Sequence, residues 1–362
     1  MSRGISRAAD NDQLKAAGAV PDHAAGPVGD APGRLVGIED MRTAARRLHG
    51  VAVRTPLLAL GPGNGGPPLY LKPESLQVTG SFKLRGAYNA VAGLPAAVRA
   101  AGVVAHSSGN HAQGVARAAA LLGVRAVVFM PSTAPRVKLE RVRADRAQVV
   151  LVGPASEERA LRAKALAAAE GMTLVSSSDD AGVIAGQGTI GIEIIEQLAE
   201  IAAAGAPPVV LVPVGGGGLA AGVSTAVKAL SPDADVIGVE PELAADAKAS
   251  LEADRVIAWP SEDVRRTIAD GMRLSSLGAL PFLHLRRFLD GVVLVSDDEI
   301  RRAMARAAWE ARLVLEPSGA ATLAAALFHA AELPHGRPVV CVLSGGNIDP
   351  DRYLQLLSED DH

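Results

Sequence analysis

Short apolar runs rich in β-branched residues alternate with longer stretches of helical periodicity from about residue 37 onward. The runs predict strands at residues 102–105, 126–130, 148–152, 209–213, 236–239 and 338–343. The longer stretches predict helices, among them residues 111–122, 157–170, 189–204 and 297–312. Because the runs are apolar throughout, we expect strands that are buried on both faces, as in a parallel sheet. The pattern as a whole predicts an α/β fold.

The first 34 residues differ from the rest because they show no sustained periodicity. They are rich in Ala, Gly, Pro and Asp, and the run GPVGDAPG at residues 26–33 has too few large apolar side chains to build a core. We therefore expect residues 1–34 to form a flexible N-terminal extension.

The composition narrows the kind of ligand. Hydrophobic residues make up 49% of the chain but aromatic residues only 3%, so the core is built from small side chains that pack helices closely onto sheets. The 36 basic and 39 acidic side chains leave a net charge of −3, which gives no overall field for nucleic acid or for an anionic membrane. We expect a small-molecule ligand, and neither nucleic acid nor membrane as a partner.

Cysteine content and the N-terminus bear on the compartment. The single cysteine, Cys341, excludes a disulfide within the chain and lies in an apolar run that predicts a buried strand. No apolar stretch approaches the ~20 residues that span a bilayer. Asp10, Asn11 and Asp12 stand where a signal peptide would need its apolar segment. The sequence therefore predicts a soluble, cytoplasmic protein.

Polar or glycine-rich loops directly follow three of the predicted strands, at residues 106–111, 215–218 and 344–347. In parallel α/β sheets, ligands bind where the carboxyl ends of the strands meet the loops. We therefore expect these three loops to line one site.

The second of these loops consists of four consecutive glycines, followed by a predicted helix. Their backbone amides can surround an anion, and the helix N-terminus adds a favourable field. The spacing is neither that of a dinucleotide fold nor that of a nucleotide P-loop. A flexible turn is the alternative, but four glycines in a row are entropically costly to order. We interpret the run as a phosphate site.

Lys83 lies in the run TGSFKLRGA, where it follows a small turn and opens a predicted helix. By itself, a lysine at a helix start is often only a solvated cation. The loop after the first strand, however, gathers more polar groups than helix capping requires: Ser107, Ser108, Asn110 and His111. A reactive lysine, a phosphate site and polar loops at one sheet edge suit a cofactor that carries both a phosphate and an aldehyde. Pyridoxal 5'-phosphate fits that description.

Seven motifs occur together, at residues 72–87, 107–113, 184–189, 213–218, 267–271, 316–319 and 343–347. Through them, residues 38–357 resemble the fold-type II pyridoxal-phosphate-dependent serine/threonine dehydratase (threonine ammonia-lyase) and serine racemase family. The resemblance implies an α/β fold of the tryptophan synthase β type, in which two parallel-sheet domains hold the active site between them. It implies a large cofactor-binding domain of residues 35–101 and 180–362, a small domain of residues 102–179 and a homodimer. Because the chain ends soon after the Ser344 loop, we expect no C-terminal regulatory domain.

The matching positions imply a role for each cofactor-binding residue. Lys83 would bind the cofactor covalently through its amine and would move the substrate's α-proton. Phe82 would pack near the pyridine ring, and Asn110 would hydrogen-bond the ring's phenolic oxygen. The phosphate would lie against a run of backbone amides: Gly215, Gly216, Gly217, Gly218 and Leu219.

Two serines are implied on the remaining sides of the ring. Ser344 would face the ring nitrogen, and a hydroxyl, unlike a carboxylate, does not hold that nitrogen protonated. This helps β-elimination rather than transamination. Ser108 matches the acid/base position on the opposite face of the cofactor in serine racemases, and dehydratases can also carry a serine there.

The resemblance implies a divalent-cation loop at residues 240–246. By that match Glu240, the carbonyl of Ala244 and Asp246 would bind Mg²⁺ or Ca²⁺, which prefer oxygen ligands. An ordinary acidic surface turn is the alternative.

The implied activity is a lyase reaction that converts L-threonine to 2-oxobutanoate and ammonia, and L-serine to pyruvate and ammonia. The alternatives are an ammonia-lyase for 3-hydroxyaspartate or another β-hydroxy amino acid, a serine racemase, and a non-catalytic protein that binds a phosphate ligand. Three departures or ambiguities bear on the choice. Residues 176–178 are all serine where the family often has a His-Pro sequence, Leu274 stands where racemases have a serine, and Arg159 fits either a substrate carboxylate or a solvated helix face.

Overall fold

The computed structural model describes residues 34–61, 68–107, 109–134, 136–153, 156–201 and 206–358. Apart from Arg34, the predicted N-terminal extension lies outside these ranges, and so does Ser108. The strands are β1 Leu58–Leu60, β2 Leu69–Pro73, β3 Val103–His106, β4 Ala126–Pro131, β5 Gln148–Val152, β6 Thr173–Leu174, β7 Val209–Pro213, β8 Asp235–Pro241, β9 Gly291–Val295 and β10 Val339–Leu343.

The α-helices surround these strands. They are α1 Ile38–Leu48, α2 Lys83–Gly93, α3 Ala96–Ala100, α4 Asn110–Leu122, α5 Arg136–Ala144, α6 Ser156–Glu170, α7 Ala181–Glu200, α8 Gly218–Leu230, α9 Asp246–Glu252, α10 Ser261–Val264, α11 Ala279–Phe288, α12 Asp297–Arg306, α13 Pro317–Phe328 and α14 Pro350–Ser358.

The strands form two sheets. One has six strands in the order β1-β2-β10-β7-β8-β9, and every neighbouring pair is parallel except β1 and β2. The other is a parallel sheet of four strands in the order β5-β4-β3-β6. The predicted α/β fold with parallel sheets is therefore confirmed. The four strands of the second sheet lie between residues 103 and 174, and the domain boundaries themselves stay a prediction.

The sequence pattern predicts six of these strands to within two residues at each end. It omits β1, β2 and β6, which are short or contain a charged residue, and it omits β9 although the run GVVLV has the same apolar character. Burial on both faces is wrong for β5, where Gln148 and Leu151 are exposed, because this strand lies at the edge of its sheet.

Two helices also differ from the prediction. Helix α7 begins at Ala181, eight residues before the predicted start, because the side chain of Asp180 accepts a hydrogen bond from the backbone of Val183 and caps it there. Helix α12 ends at Arg306, continues as a π-helical turn and stops at Arg312, whose φ of 60° is left-handed.

Close packing of three helices connects the predicted lysine helix to the predicted phosphate site. Helix α7 contacts both α2 and α8, and glycines allow the backbones to approach. A Cβ atom at Gly222 would lie 2.5 Å from the backbone nitrogen of Gly188, and one at Gly186 would lie 2.6 Å from the carbonyl oxygen of Arg85. The positions of α2 and α8 are therefore fixed relative to each other.

The predictions for Cys341 and for membrane spans can be compared with the described residues. Cys341 is buried in β10, where burial raises the pKa of its thiol far above the ordinary value. In the part of the chain that the structure describes, no helix is both long enough and apolar enough to cross a bilayer.

Candidate active site

A cavity of about 220 Å³ is lined by the loops that follow β3, β6, β7 and β10 and by the start of α2. Every predicted cofactor-binding residue lines it: Phe82, Lys83, Asn110, Gly215, Gly216, Gly217, Gly218, Leu219 and Ser344. The three loops predicted to share one site therefore do so. Ser108 lies outside the described residues, so its proposed role stays a prediction.

Lys83 is the first residue of α2 and follows a tight turn in which Gly80 has a φ of 70°. Its Nζ donates a hydrogen bond to the carbonyl oxygen of Ser177 at 2.8 Å and lies 4.9 Å from the centre of the Phe82 ring. Burial lowers the pKa of the Lys83 amine from 10.5 to about 8, although the negative charge of Glu316 opposes this shift. About a tenth of the amine is therefore neutral, and so nucleophilic, at pH 7, far more than for a lysine with the ordinary pKa.

The glycine run connects β7 to α8 and contributes no side chains to the cavity. Gly217 has a φ of 85°, which favours glycine. A Cβ atom at Gly216 would lie 2.5 Å from Oγ of Ser178, and one at Gly218 would lie 2.7 Å from the Cα of Ser178. The bare backbone and the N-terminus of the 13-residue helix α8 thus fit an anion such as a phosphate.

Ser344 directly follows β10 and lies beside Phe82 in the cavity wall. Its Oγ donates to the carbonyl oxygen of Ser318 at 3.2 Å, and its own carbonyl accepts from the backbone of Phe82 at 3.1 Å. A neutral hydroxyl therefore lines the cavity beside the start of α2, and its role toward the ring nitrogen stays a prediction.

Asn110 begins α4 and is held by two side chains that sequence reasoning gave no role. Its Nδ2 donates to Oε1 of Glu316 at 2.5 Å, and its Oδ1 accepts from Nδ2 of Asn347 at 2.9 Å. Burial, and then the charge of Asp270, raise the pKa of Glu316 to about 8. Residues 316–319 are one of the motifs that carry the family resemblance, but the motif by itself gives Glu316 no role beyond a helix start with proline in its first turn.

Further polar groups line the cavity beyond the predicted set. Lys138 and Asp270 form an ion pair at 3.2 Å. Arg159 is buried in the wall, which decides against a solvated helix face, and burial followed by the charge of Arg265 lowers its pKa. Leu274 lies within 3.1 Å of the position of a Cβ atom at Gly215, so this part of the wall is apolar.

His111 is in the cavity wall but points to a backbone group. Its Nε2 lies 2.9 Å from the carbonyl oxygen of Val175. Burial, and then the charge of Lys83, lower the pKa of His111 to about 3. The imidazole is therefore neutral and donates to the carbonyl, which makes it a structural link between α4 and the chain after β6.

The predicted cation site lies away from this cavity. Both oxygens of Glu240 accept backbone hydrogen bonds, from Ala247 at 2.9 Å and Lys248 at 2.8 Å. Both oxygens of Asp246 are buried without a hydrogen-bond partner among the described residues. An unsatisfied buried carboxylate fits a hard cation.

The pKa values and the side chains at this loop do not establish a bound metal, so the metal stays a prediction. Burial raises the pKa of Asp246 to about 7, and burial together with the charge of Asp246 raises that of Glu240 to about 8. Within the described ranges no three His, Cys, Asp or Glu side chains converge as a metal site, so the third protein ligand would have to be a backbone carbonyl, as predicted for Ala244.

Comparison with known proteins places the chain in a family. Residues 49–345 match the family model described as "Pyridoxal-phosphate dependent enzyme". The chain is 42% identical to the L-threonine ammonia-lyase of Thermotoga maritima over 331 residues, which cover 90% of this chain and 79% of that protein. It is 39% identical to the L-threo-3-hydroxyaspartate ammonia-lyase of a Pseudomonas species, over 90% of this chain and 99% of that protein.

Solved structures give the same result. The fold superimposes on the threonine deaminase of T.th. with a TM-score of 0.80 at 46% identity, covering 86% of this chain and 99% of that one. It superimposes on serine racemase from Dictyostelium discoideum with a TM-score of 0.79 at 36% identity, covering 87% and 99%. The predicted fold type and cofactor are thereby confirmed, and the chain belongs to the family of pyridoxal-phosphate-dependent enzymes.

Proposed function

We propose that this chain is an ammonia-lyase that converts L-threonine to 2-oxobutanoate and ammonia, and L-serine to pyruvate and ammonia. The observation that carries the proposal is the cavity in which the partly neutral amine of Lys83 shares a wall with the glycine run and with Ser344. The similarity to proteins named L-threonine ammonia-lyase and threonine deaminase supports threonine as the substrate.

The residues that line the cavity fit the cofactor. Lys83 would hold it covalently, the backbone amides of residues 215–219 would bind its phosphate, and Phe82 would pack near its ring. Asn110 would hydrogen-bond the phenolic oxygen, and Ser344 would face the ring nitrogen. When bound, pyridoxal phosphate supplies an electron sink that acidifies the α-hydrogen of an amino acid.

Lys83 is the proton carrier of this site. With a pKa near 8, its amine can accept the α-proton as a neutral base and can return a proton as an ammonium group. The carbonyl of Ser177, 2.8 Å from Nζ, accepts a hydrogen bond and restricts the direction in which the amine points. The amine is thereby oriented in the cavity rather than free to sample solvent.

Ser344 bears on which reaction follows. A hydroxyl at the ring nitrogen places no negative charge there, so nothing at this position keeps the nitrogen protonated. The cofactor would then supply a weaker electron sink, which suits release of the substrate's β-hydroxyl. The proposed outcome is elimination rather than transamination.

A second substrate is favoured by Arg159. A buried guanidinium in the cavity wall suits a substrate that carries a further carboxylate, such as 3-hydroxyaspartate. Relatives from two organisms carry the name L-threo-3-hydroxyaspartate ammonia-lyase. The serine racemase alternative receives less support, because apolar Leu274 lines the cavity where racemases place a serine.

A panel of substrates tests the proposal. The purified holoenzyme is incubated separately with L-threonine, L-serine and L-threo-3-hydroxyaspartate, while keto acid, ammonia and enantiomeric composition are followed. We expect 2-oxobutanoate and ammonia in equal amounts from L-threonine. Formation of D-serine from L-serine without keto acid would make the protein a racemase, and exclusive turnover of hydroxyaspartate would establish the second substrate in place of threonine.

The family resemblance further supports a cytoplasmic homodimer with Mg²⁺ or Ca²⁺ bound by Glu240, Ala244 and Asp246. The resemblance also supports an acid/base role for Ser108. Light scattering of the purified protein tests the dimer, and a mass equal to a single chain at micromolar concentration would contradict it.

A further inference from the structure

A continuous line of side-chain hydrogen bonds runs behind the cavity from Arg141 on α5 to Glu316 at the start of α13. Arg141 donates from a guanidinium nitrogen to Oδ1 of Asn347 at 2.5 Å. Nδ2 of Asn347 donates to the carbonyl of Thr79 at 2.7 Å and to Oδ1 of Asn110 at 2.9 Å. Nδ2 of Asn110 then donates to Glu316 at 2.5 Å.

The chemistry of the end groups fixes the direction of every hydrogen bond in this line. A guanidinium can only donate and a backbone carbonyl can only accept, so Arg141 and Thr79 together determine which end of the Asn347 amide is oxygen and which is nitrogen. Asn347 therefore presents an N–H to Asn110, and Asn110 must present its oxygen in return. The NH₂ group of Asn110 is then the group that faces Glu316.

Glu316 does not impose this direction by itself. Burial raises the pKa of its carboxyl to about 8, so at neutral pH it can donate a hydrogen bond as well as accept one. Three charged groups act on it: Asp270 raises its pKa, and Lys138 and Lys83 lower it. A protonated Glu316 could pair with either end of the Asn110 amide.

An amide NH₂ group has two hydrogens, and only one of them is taken by Glu316. Asn110 lines the cavity, so its second N–H is available to a ligand there. If the amide were reversed, a carbonyl oxygen would stand in this place. The phenolic oxygen of the cofactor carries negative charge, and it would then meet an acceptor instead of a donor.

We infer that Asn347, held by Arg141 and by the carbonyl of Thr79, is a positioning residue that turns the N–H side of the Asn110 amide toward the cofactor. The inference rests on the proposed placement of Asn110 beside the ring. Asn347 itself is buried and acts on the cofactor only through its hydrogen bond to Asn110.

Asn347→Asp tests the inference because it is almost isosteric. The aspartate keeps an oxygen for Arg141 but loses the two N–H groups that face Thr79 and Asn110. We expect Asn110 to turn its NH₂ group toward the new carboxylate and its oxygen toward the cofactor. The phenolic oxygen would lose its donor and bind a proton more tightly.

Asn89→Asp is a matched control. Asn89 is 2% exposed, compared with 6% for Asn347, and its partners are of the same kind. Its Oδ1 accepts from Arg47 at 3.1 Å and its Nδ2 donates to the carbonyl of Gly182 at 2.7 Å, but it does not line the cavity. The control therefore reproduces the loss of stability without the effect on the cofactor.

The measurement is the absorbance spectrum of the bound cofactor between pH 6 and pH 10, together with the melting temperature. We expect Asn347→Asp to raise the pH at which the cofactor's absorbance changes by about one unit, or to change the relative heights of its absorbance bands. We also expect kcat to fall by about tenfold or more. Asn89→Asp is expected to lower the melting temperature to a similar degree and to leave the spectrum unchanged.

A wild-type spectrum and kcat in Asn347→Asp would overturn the inference, and so would equal spectral changes in the two variants. If Asn347→Asp does not fold, Asn347→Ala removes the same donors without placing a carboxylate against two carbonyls. Asn110 is then free to adopt both orientations, so a smaller spectral change in the same direction is expected. The spectrum depends on cofactor binding and not on turnover of threonine. A holoenzyme that absorbs normally but fails to act on threonine would therefore contradict the proposed function and leave this test intact.

Discussion

The amine of Lys83 lies on the inner wall of a cavity, between the ring of Phe82 and the carbonyl of Ser177. Burial disfavours its charged form, and the carboxyl whose charge opposes this shift, Glu316, is itself kept partly protonated by burial. The same burial that makes a lysine costly to place here also makes it reactive. A lysine at an exposed helix start would lack this property.

The lowered pKa of Lys83 predicts how apoprotein recovers its cofactor. Only the neutral amine attacks an aldehyde, and its fraction rises with pH up to the pKa of about 8 and then levels off. We expect the rate of reconstitution by pyridoxal phosphate, followed by absorbance, to rise through pH 7 to 8 and to reach a plateau near pH 9. A rate that still rises steeply between pH 9 and pH 10 would show an amine with the ordinary pKa.

Single residues on the cavity wall differ in how far the sequence reveals them. Lys83, Ser344 and the four glycines could be predicted because each directly follows a strand or opens a helix, which is local information. Glu316 and Asn347 could not be given roles, because their hydrogen bonds to Asn110 join positions 206 and 237 residues apart. Contacts over such separations depend on how the two sheets pack.

At the scale of elements, the turn from β7 into α8 is a cradle made of backbone alone. A Cβ atom at Gly218 would lie 2.7 Å from the backbone of Ser178, which is too close to fit, and Gly217 is left-handed. The segment around Ser178, which packs against the turn, thus shapes the anion site as much as the turn does. A bulky residue in place of Ser178 would close the space that an anion needs.

Gly218→Ala is expected to weaken cofactor binding by about tenfold or more, because its Cβ would lie 2.7 Å from the Cα and 2.8 Å from the carbonyl oxygen of Ser178, backbone atoms that cannot rotate away. Gly291→Ala is the control, since no atom lies within 4 Å of its Cβ position and its φ is not in the left-handed region. Titration of apoprotein with pyridoxal phosphate, followed by absorbance, measures both. Equal affinities in the two variants would contradict a close-packed phosphate site.

Helix α2 is anchored two residues after Lys83 by a buried ion network. Arg85 donates to Glu74 and to Glu193, and Glu193 also accepts from Lys72. Two cations and two carboxylates balance one another inside the protein and join β2, α2 and α7. The start of α2, and with it Lys83, is therefore held by three separate elements.

Removal of one charge from this network should cost much more than removal of a surface charge. We expect Arg85→Met to lower the free energy of unfolding of the apoprotein by about 3–5 kcal/mol, since Glu74 would stay buried without its ion-pair partner and Glu193 would keep only Lys72. Arg125→Met breaks a solvent-exposed pair with Glu170 and should leave that free energy nearly unchanged. Urea unfolding compares the two, and similar losses would show that the network does not anchor α2.

At the scale of the whole molecule, two sheets that are parallel except for the pair of β1 and β2 place the carboxyl ends of β3, β6, β7 and β10 around one cavity. The fold class follows from the apolar runs and the spacing between them, which is why it could be predicted from the sequence. The exposed edge strand β5 could not, because sheet order depends on contacts between distant parts of the chain. The start of α7 could have been, since Asp180 is a local capping signal that hydrophobic periodicity alone does not include.

The cation loop, whose residues do not line the cavity, offers a further test. Asp246 is buried with no hydrogen-bond partner for either oxygen among the described residues, so a bound cation would stabilise the folded chain only. We expect millimolar Mg²⁺ or Ca²⁺ to raise the melting temperature of the wild-type protein and not that of Asp246→Asn. An equal rise in both proteins would remove Asp246 from the set of ligands.

The central claim is that Lys83 binds the cofactor and carries out the chemistry. Reduction of the holoenzyme with borohydride, followed by proteolysis and mass spectrometry, tests it most directly. For the wild-type protein we expect one peptide that carries the reduced cofactor on Lys83. For Lys83→Ala we expect no adduct and no keto acid from L-threonine. A cofactor trapped on a different lysine, or none trapped by a protein that still turns over threonine, would contradict it.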